Sequence, residues 1–354
     1  MSTPGATALP AGLTGDRLAE HLGAPADALR RFSSKTIGTG QIAASSCLTL
    51  DWAEDHPGLP ASVVAKCTSP DETSLASAKL LKLYIKEVNW YRELAPLSTV
   101  RVPECHGARV NEAGDDFLLL LEDCAPADQC NQLGGIYILQ VESALDEAAR
   151  LHAPFLGNRD VVDRQWLQTD VETSAMIRGL LSQFWPAFKD RYQGRLSSEL
   201  FELGDDYVAR VQAADDEPEP ALITVTHGDF RIDNMLFGSP DGRVVVLDWQ
   251  TVSPGHPLSD VAYLLGTSIA DSRLRRDQEQ RLVSVYCEQM AGLGAAIDSD
   301  QAWDAYRRYA CNGFAMAITA SMLAKRTERG DEMFAVMAER PAQQMMDLDT
   351  LSLL

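Results

Sequence analysis

The densest chemistry in this chain is the run His227-Gly228-Asp229-Phe230-Arg231-Ile232-Asp233-Asn234, followed fourteen residues later by Asp248 at the end of the apolar run Val244-Val245-Val246-Leu247. Two carboxylates and an amide on turns beside short strands suit phosphoryl transfer. That reaction needs one carboxylate to orient and deprotonate an attacking hydroxyl, and hard oxygen ligands to hold magnesium on nucleotide phosphates. Turn-forming propensity explains any one of these residues, since Asp and Asn favour turns, but it explains the full set poorly. No side-chain nucleophile is required, because positioning and charge neutralisation suffice for direct transfer.

The surrounding sequence predicts the elements that hold this loop. Residues 1 to 12 are rich in Pro, Gly, Ala and Thr and read as a flexible tail, drawn as residues 1–15. From Phe32 to Lys66, β-prone stretches alternate with Gly/Pro punctuation, the pattern of an antiparallel sheet with hairpins. Apolar residues at helical spacing predict one helix over Leu75 to Leu94, and two strand-like runs follow at Pro103 to Val110 and Phe117 to Leu121. The segment Glu122 to Pro126 breaks the pattern and sets the expected lobe boundary, 16–122 against 123–354. Beyond it the chain reads as helical: Ile138 to His152, Ala175 to Asp190, Ser198 to Ala213, Leu258 to Ile269, Arg276 to Ala291, and further segments from Ala302 onward. Only two strand runs interrupt it, Leu222 to Thr226 and Val244 to Leu247.

On THGDFRIDN and VVVLDWQ the sequence resembles the aminoglycoside phosphotransferase and choline kinase-like superfamily, including its ecdysteroid kinase-like group, over most of residues 35 to 270. The five-residue step from Asp229 to Asn234 matches the kinase loop pattern HRDxxxxN, with Gly228 where protein kinases place Arg. The resemblance implies an α+β, protein-kinase-like two-lobed fold with a small antiparallel β lobe and a larger, mainly helical lobe. It implies ATP and Mg2+ as co-substrate and cofactor, with GTP left open. Asp229 would accept the acceptor's proton, Asn234 and Asp248 would bind magnesium, and His227 would hold the loop. Lys66 falls where the family places the lysine that contacts the α- and β-phosphates, and Glu87, preferred over Glu93, where it places that lysine's partner. Gly38 and Gly40 would belong to the phosphate-covering loop, and Glu122 and Cys124 to the hinge whose backbone meets the adenine edge. Asp260 resembles the aspartate that braces the catalytic loop, and a helix N-cap also accounts for it.

At 354 residues the chain is long enough for two lobes, and 45% hydrophobic and 23% charged residues are ordinary for a globular protein. Seven scattered cysteines make no CxxC pair, and the amino end lacks the charged and apolar regions of a secretory signal, so a cytoplasmic location is expected. The net charge of −20 falls unevenly: residues 1–120 hold 11 basic against 14 acidic side chains, and residues 121–354 hold 20 against 37. Such a field repels nucleic acid and anionic membrane and suits a cationic acceptor, although solubility alone also explains it. The expected partner is a small-molecule hydroxyl acceptor: an antibiotic, an amino alcohol or another natural product. The rival readings are a catalytically inactive kinase-like binding protein and a protein kinase. The second is disfavoured by HGD in place of HRD and by the lack of an APE-type segment after Asp248.

Overall fold

In a computed structural model, which describes residues 13–38, 42–53, 58–213, 220–324 and 326–354, the β-prone residues pair into one five-stranded antiparallel sheet. Its strands are β1 (Leu29–Ile37), β2 (Ala43–Trp52), β3 (Ser62–Thr68), β4 (Cys105–Val110) and β5 (Phe117–Glu122), in the order β1-β2-β3-β5-β4. Because successive side chains alternate across a strand, Leu48, Leu50, Val63, Ala65, Cys67, Leu118 and Leu120 share one buried cluster. Leu18 and Ala19 of helix α1 (Gly15–His21) complete that core. Lys66, between Ala65 and Cys67, points to the other face.

That second face is covered by the helical segment predicted as one element. The structure corrects this: α2 (Glu72–Leu80) ends, Lys82 turns at φ 55, α3 (Leu83–Asn89) begins, and a π-type turn follows at Trp90–Leu94. The left-handed residue restarts the helix, so that Tyr84, Glu87 and Val88 are buried while Leu80 is 52% exposed. Apolar periodicity runs through both halves, which hides the break. Tyr84 stacks on Phe117 at a centroid distance of 4.0 Å and donates to the Ile42 carbonyl at 2.6 Å. These elements form one compact unit, residues up to Pro96 with Val102–Pro126; Leu97–Arg101 and Ala127–Leu354 form the second.

The second unit is mainly helical: α4 (Ile138–His152), α5 (Arg159–Val162), α6 (Val171–Tyr192), α7 (Ser198–Ala213), α8 (Pro257–Ser268), α9 (Ser272–Gly292), α10 (Ser299–Tyr309), α11 (Cys311–Leu323) and α12 (Glu328–Asp347). Two small antiparallel sheets sit among them. One joins β6 (Asp128–Gln129), β8 (Met235–Phe237) and β9 (Val245–Val246), and the other pairs β7 (Thr224–Thr226) with β10 (Ser253–Gly255). β6, β8 and β10 were not foreseen, being too short to show alternation. Buried Phe334, Met337 and Met345 make α12 a core helix. Among the described residues, no helix is long and apolar enough to cross a membrane.

Candidate active site

The short sheets of the second unit fix both ends of the chemically dense loop. β7 leads into His227, β8 leaves from Asn234, and the Leu247 amide donates to the Asn234 carbonyl at 2.8 Å, which sets Asp248 beside that residue. His227 is fully buried and tilted against Trp249 at 4.7 Å. Its Nε2 donates to the Leu247 carbonyl at 2.9 Å, while Nδ1 accepts the Asp229 amide at 3.2 Å, which assigns a single tautomer. Gly228 lies at φ 80, and a Cβ there would come within 2.7 Å of the Thr251 carbonyl oxygen. Glycine is therefore required by both conformation and space.

Asp260 braces the loop from α8. Its Oδ2 accepts the His227 amide at 2.6 Å and its Oδ1 the Gly228 amide at 3.0 Å, with His152 Nε2 3.2 Å from Oδ2. Burial opposes the charge, but the His152 hydrogen bond and the neighbouring donors hold this carboxyl below its ordinary range. Asp260 is not the helix cap that its position suggested. His256 caps α8, its Nδ1 accepting the Leu258 amide at 3.2 Å.

Asp229 is held by three side chains. Oδ1 accepts from the Tyr263 hydroxyl at 2.8 Å and Arg231 Nε at 3.0 Å, and Oδ2 accepts from Asn234 Nδ2 at 2.8 Å. Burial opposes the Arg231 charge, but Asp229, Tyr263 and Asp233 raise its pKa, so the guanidinium stays charged. Asp233 accepts from Arg231 Nη1 at 2.7 Å and from the Gln132 amide at 3.3 Å. Sequence reading passed over Arg231 and Tyr263 as participants. The position of Arg231 inside the motif was a usable signal; Tyr263, 34 residues downstream, gave none.

The two Nδ2 bonds of Asn234, to the carbonyl and the Oδ2 of Asp229, turn its Oδ1 away from the loop. A carbonyl oxygen so directed, with a carboxylate on the neighbouring strand end, fits a hard divalent cation. Among the described residues no three His, Cys, Asp or Glu side chains converge on a metal cage. Magnesium typically takes one or two protein ligands and completes its shell with water and phosphate.

In the first unit, Lys66 Nζ donates to Glu87 Oε1 at 2.7 Å, with side-chain exposures of 11% and 1%. The pair joins β3 to α3, which packs against the neighbouring strands β4 and β5. Gly38 has φ 70 at the end of β1, whereas Gly40 lies outside the described residues. The Glu122 amide is taken by the Glu104 carbonyl at 2.8 Å, so a contact from Glu122 to a nucleotide base would fall to its carbonyl. Cys124, two residues further on, is buried.

Fold and loop together define a protein of the kinase-like small-molecule phosphotransferase class. The ecdysteroid kinase-like family matches residues 42–297, and the chain belongs to that family. A choline kinase from Cryptosporidium parvum shares the fold at TM-score 0.56 and 11% identity, over 91% of each chain. An amicoumacin kinase, solved with AMP-PNP, Ca2+ and Ami, does so at TM-score 0.51 and 14% identity, over 90% of this chain and 91% of that one. Among curated sequences, acyl-CoA dehydrogenase family member 11 of Gallus gallus is 29% identical over 150 residues, 38% of this chain. The match spans only 19% of that protein's length.

Proposed function

We propose that the chain is a magnesium-dependent kinase that transfers the γ-phosphoryl group of ATP to a hydroxyl of a small molecule, with Asp229 as the base. The observation that carries this reading is the carboxylate of Asp229, fixed by Tyr263, Arg231 and Asn234 inside the HGDxxxxN loop. As the acceptor oxygen bonds to phosphorus and the bond to the ADP oxygen breaks, Asp229 takes the hydroxyl proton. Asn234 Oδ1 and the Asp248 carboxylate would hold magnesium, which would supply charge neutralisation at the phosphates. Lys66, oriented by Glu87, contacts the α- and β-phosphates; Gly38 and Gly40 cover them; Glu122 and Cys124 offer backbone to the base, adenine or guanine. A decayed binding protein usually lacks one of these polar groups, and here Lys66, Glu87, Asp229, Asn234 and Asp248 are all present.

The acceptor is read as a small hydroxylated metabolite or natural product. Choline kinase and amicoumacin kinase share the fold, and the acidic helical unit suits a cationic acceptor. The acyl-CoA dehydrogenase name of the curated relatives adds hydroxyacyl-CoA thioesters to the acceptors worth assaying. The test is ADP release with Mg-ATP and Mg-GTP across hydroxylated amines, sugars, antibiotics, sterol-like alcohols and those thioesters. Asp229→Ala should lower turnover by roughly 10² to 10⁴ while nucleotide binding persists. Unchanged turnover removes Asp229 as the base, and a chain that binds no Mg-nucleotide overturns the kinase reading.

A further inference from the structure

We infer that Tyr263 is a positioning residue for Asp229, and that Asp229 Oδ2 is the oxygen left to take the acceptor's proton; the inference rests on the kinase reading above. A carboxylate presents about four lone-pair directions, two on each oxygen. Oδ1 of Asp229 receives the Tyr263 hydroxyl at 2.8 Å and Arg231 Nε at 3.0 Å, which fills both of its directions. Oδ2 receives only Asn234 Nδ2, at 2.8 Å, among the described residues. The remaining direction is on Oδ2. Turning the carboxylate out of this plane would break all three bonds, and a half-turn would only exchange two equivalent oxygens, so the open lone pair keeps a fixed direction in space.

The ring of Tyr263 is itself held in place. Tyr263 is 3% exposed on α8, and Gly313 of α11 faces it. A Cβ on Gly313 would lie 3.1 Å from Tyr263 Cδ2 and 2.8 Å from Pro341 Cγ of α12, so the missing side chain is what lets three helices close around the ring. Burial, then the adjacent Asp229, push the phenol well above its ordinary range, so it remains a donor. Restraint of this kind suits phosphoryl transfer, where catalysis is largely positioning and little covalent chemistry falls to the protein.

The experiment is a double-mutant cycle in kcat combined with a fluorine probe. Tyr263→Phe keeps the ring and removes the hydroxyl; it should lower kcat about tenfold and change KM less than about threefold, because a lost hydrogen bond to a charged group is a loss of that order. In the Asp229→Ala background the same change should cost less than about twofold, since a positioning residue has nothing left to position. Equal losses in both backgrounds would show a merely structural role and overturn the inference, as would no loss in either. Independently of turnover, 3-fluorotyrosine at position 263 keeps both ring and hydroxyl, and its 19F resonance should shift when Asp229→Asn is introduced. An unmoved resonance denies the contact while leaving the kinase reading intact. Absence of turnover with every acceptor removes that reading, and the Oδ2 assignment with it.

Discussion

Asp260 and Asp229 are both aspartates of one loop system, yet they do opposite things with their charge. Asp260 is 1% exposed and gives both oxygens to backbone amides and His152, whereas Asp229 keeps one direction open. Asp260→Ala would leave two backbone amides and an imidazole without their acceptor in a dry site. We expect a loss of about 3 to 5 kcal/mol of stability, the range for breaking a buried charge interaction, measurable as a shift in the urea midpoint. A loss below about 1 kcal/mol would mean that the loop is held by something else. The candidate catalytic loop was legible in the sequence because its residue types and spacing coincide in one short run. Tyr263 was not, because helical periodicity marks it only as a buried apolar position and says nothing of where its hydroxyl ends. The cap of α8 was misplaced for a related reason: His256 caps through ring Nδ1, and His is not among the usual capping residues.

Helix α3 shows what the Lys66–Glu87 pair requires of its surroundings. To bring Glu87 within reach of Lys66 the helix packs against β4 and β5 of the sheet, and Lys86 is buried with it at 6% exposure. Burial, then the charge of Lys82, lower the Lys86 pKa from 10.5 to about 8. At neutral pH both folded and unfolded chains carry the proton, so the folded state bears the full penalty. Between about 8 and 10.5 the unfolded chain alone holds the proton and stability rises with pH; above 10.5 the penalty is gone. Lys86→Met should therefore stabilise the protein at pH 7 by up to about 3 kcal/mol, and the gain should fade as the pH rises through that window. Thermal unfolding of both chains across pH 7 to roughly 10.5 checks it, and a gain independent of pH would assign the effect to packing instead. The strands of this sheet were readable from alternation, while the break at Lys82 was not: a left-handed residue between two helices leaves the apolar spacing almost undisturbed.

At the scale of the whole chain the governing quantity is charge. The net value is −20, and residues 121–354, which include every candidate catalytic and metal-binding residue of the loop, hold 37 acidic against 20 basic side chains. A field of that sign raises the encounter rate of a cation and lowers that of an anion, by factors of roughly 10 to 10³ at low salt when it is focused. The field is screened over about 10 Å at 0.1 M ionic strength. ATP is itself anionic, so raw kcat/KM mixes two opposed effects. The informative quantity is the ratio of kcat/KM for a charged acceptor to that of its uncharged isostere, in which the nucleotide contribution cancels. For a quaternary or primary amine acceptor this ratio should fall severalfold between about 10 mM and 0.3 M salt, and for an anionic thioester it should rise. If instead the ratio is flat for acceptors of either sign, the acidity of the helical unit serves solubility alone, and recognition of the acceptor lies in short-range contacts that salt does not reach.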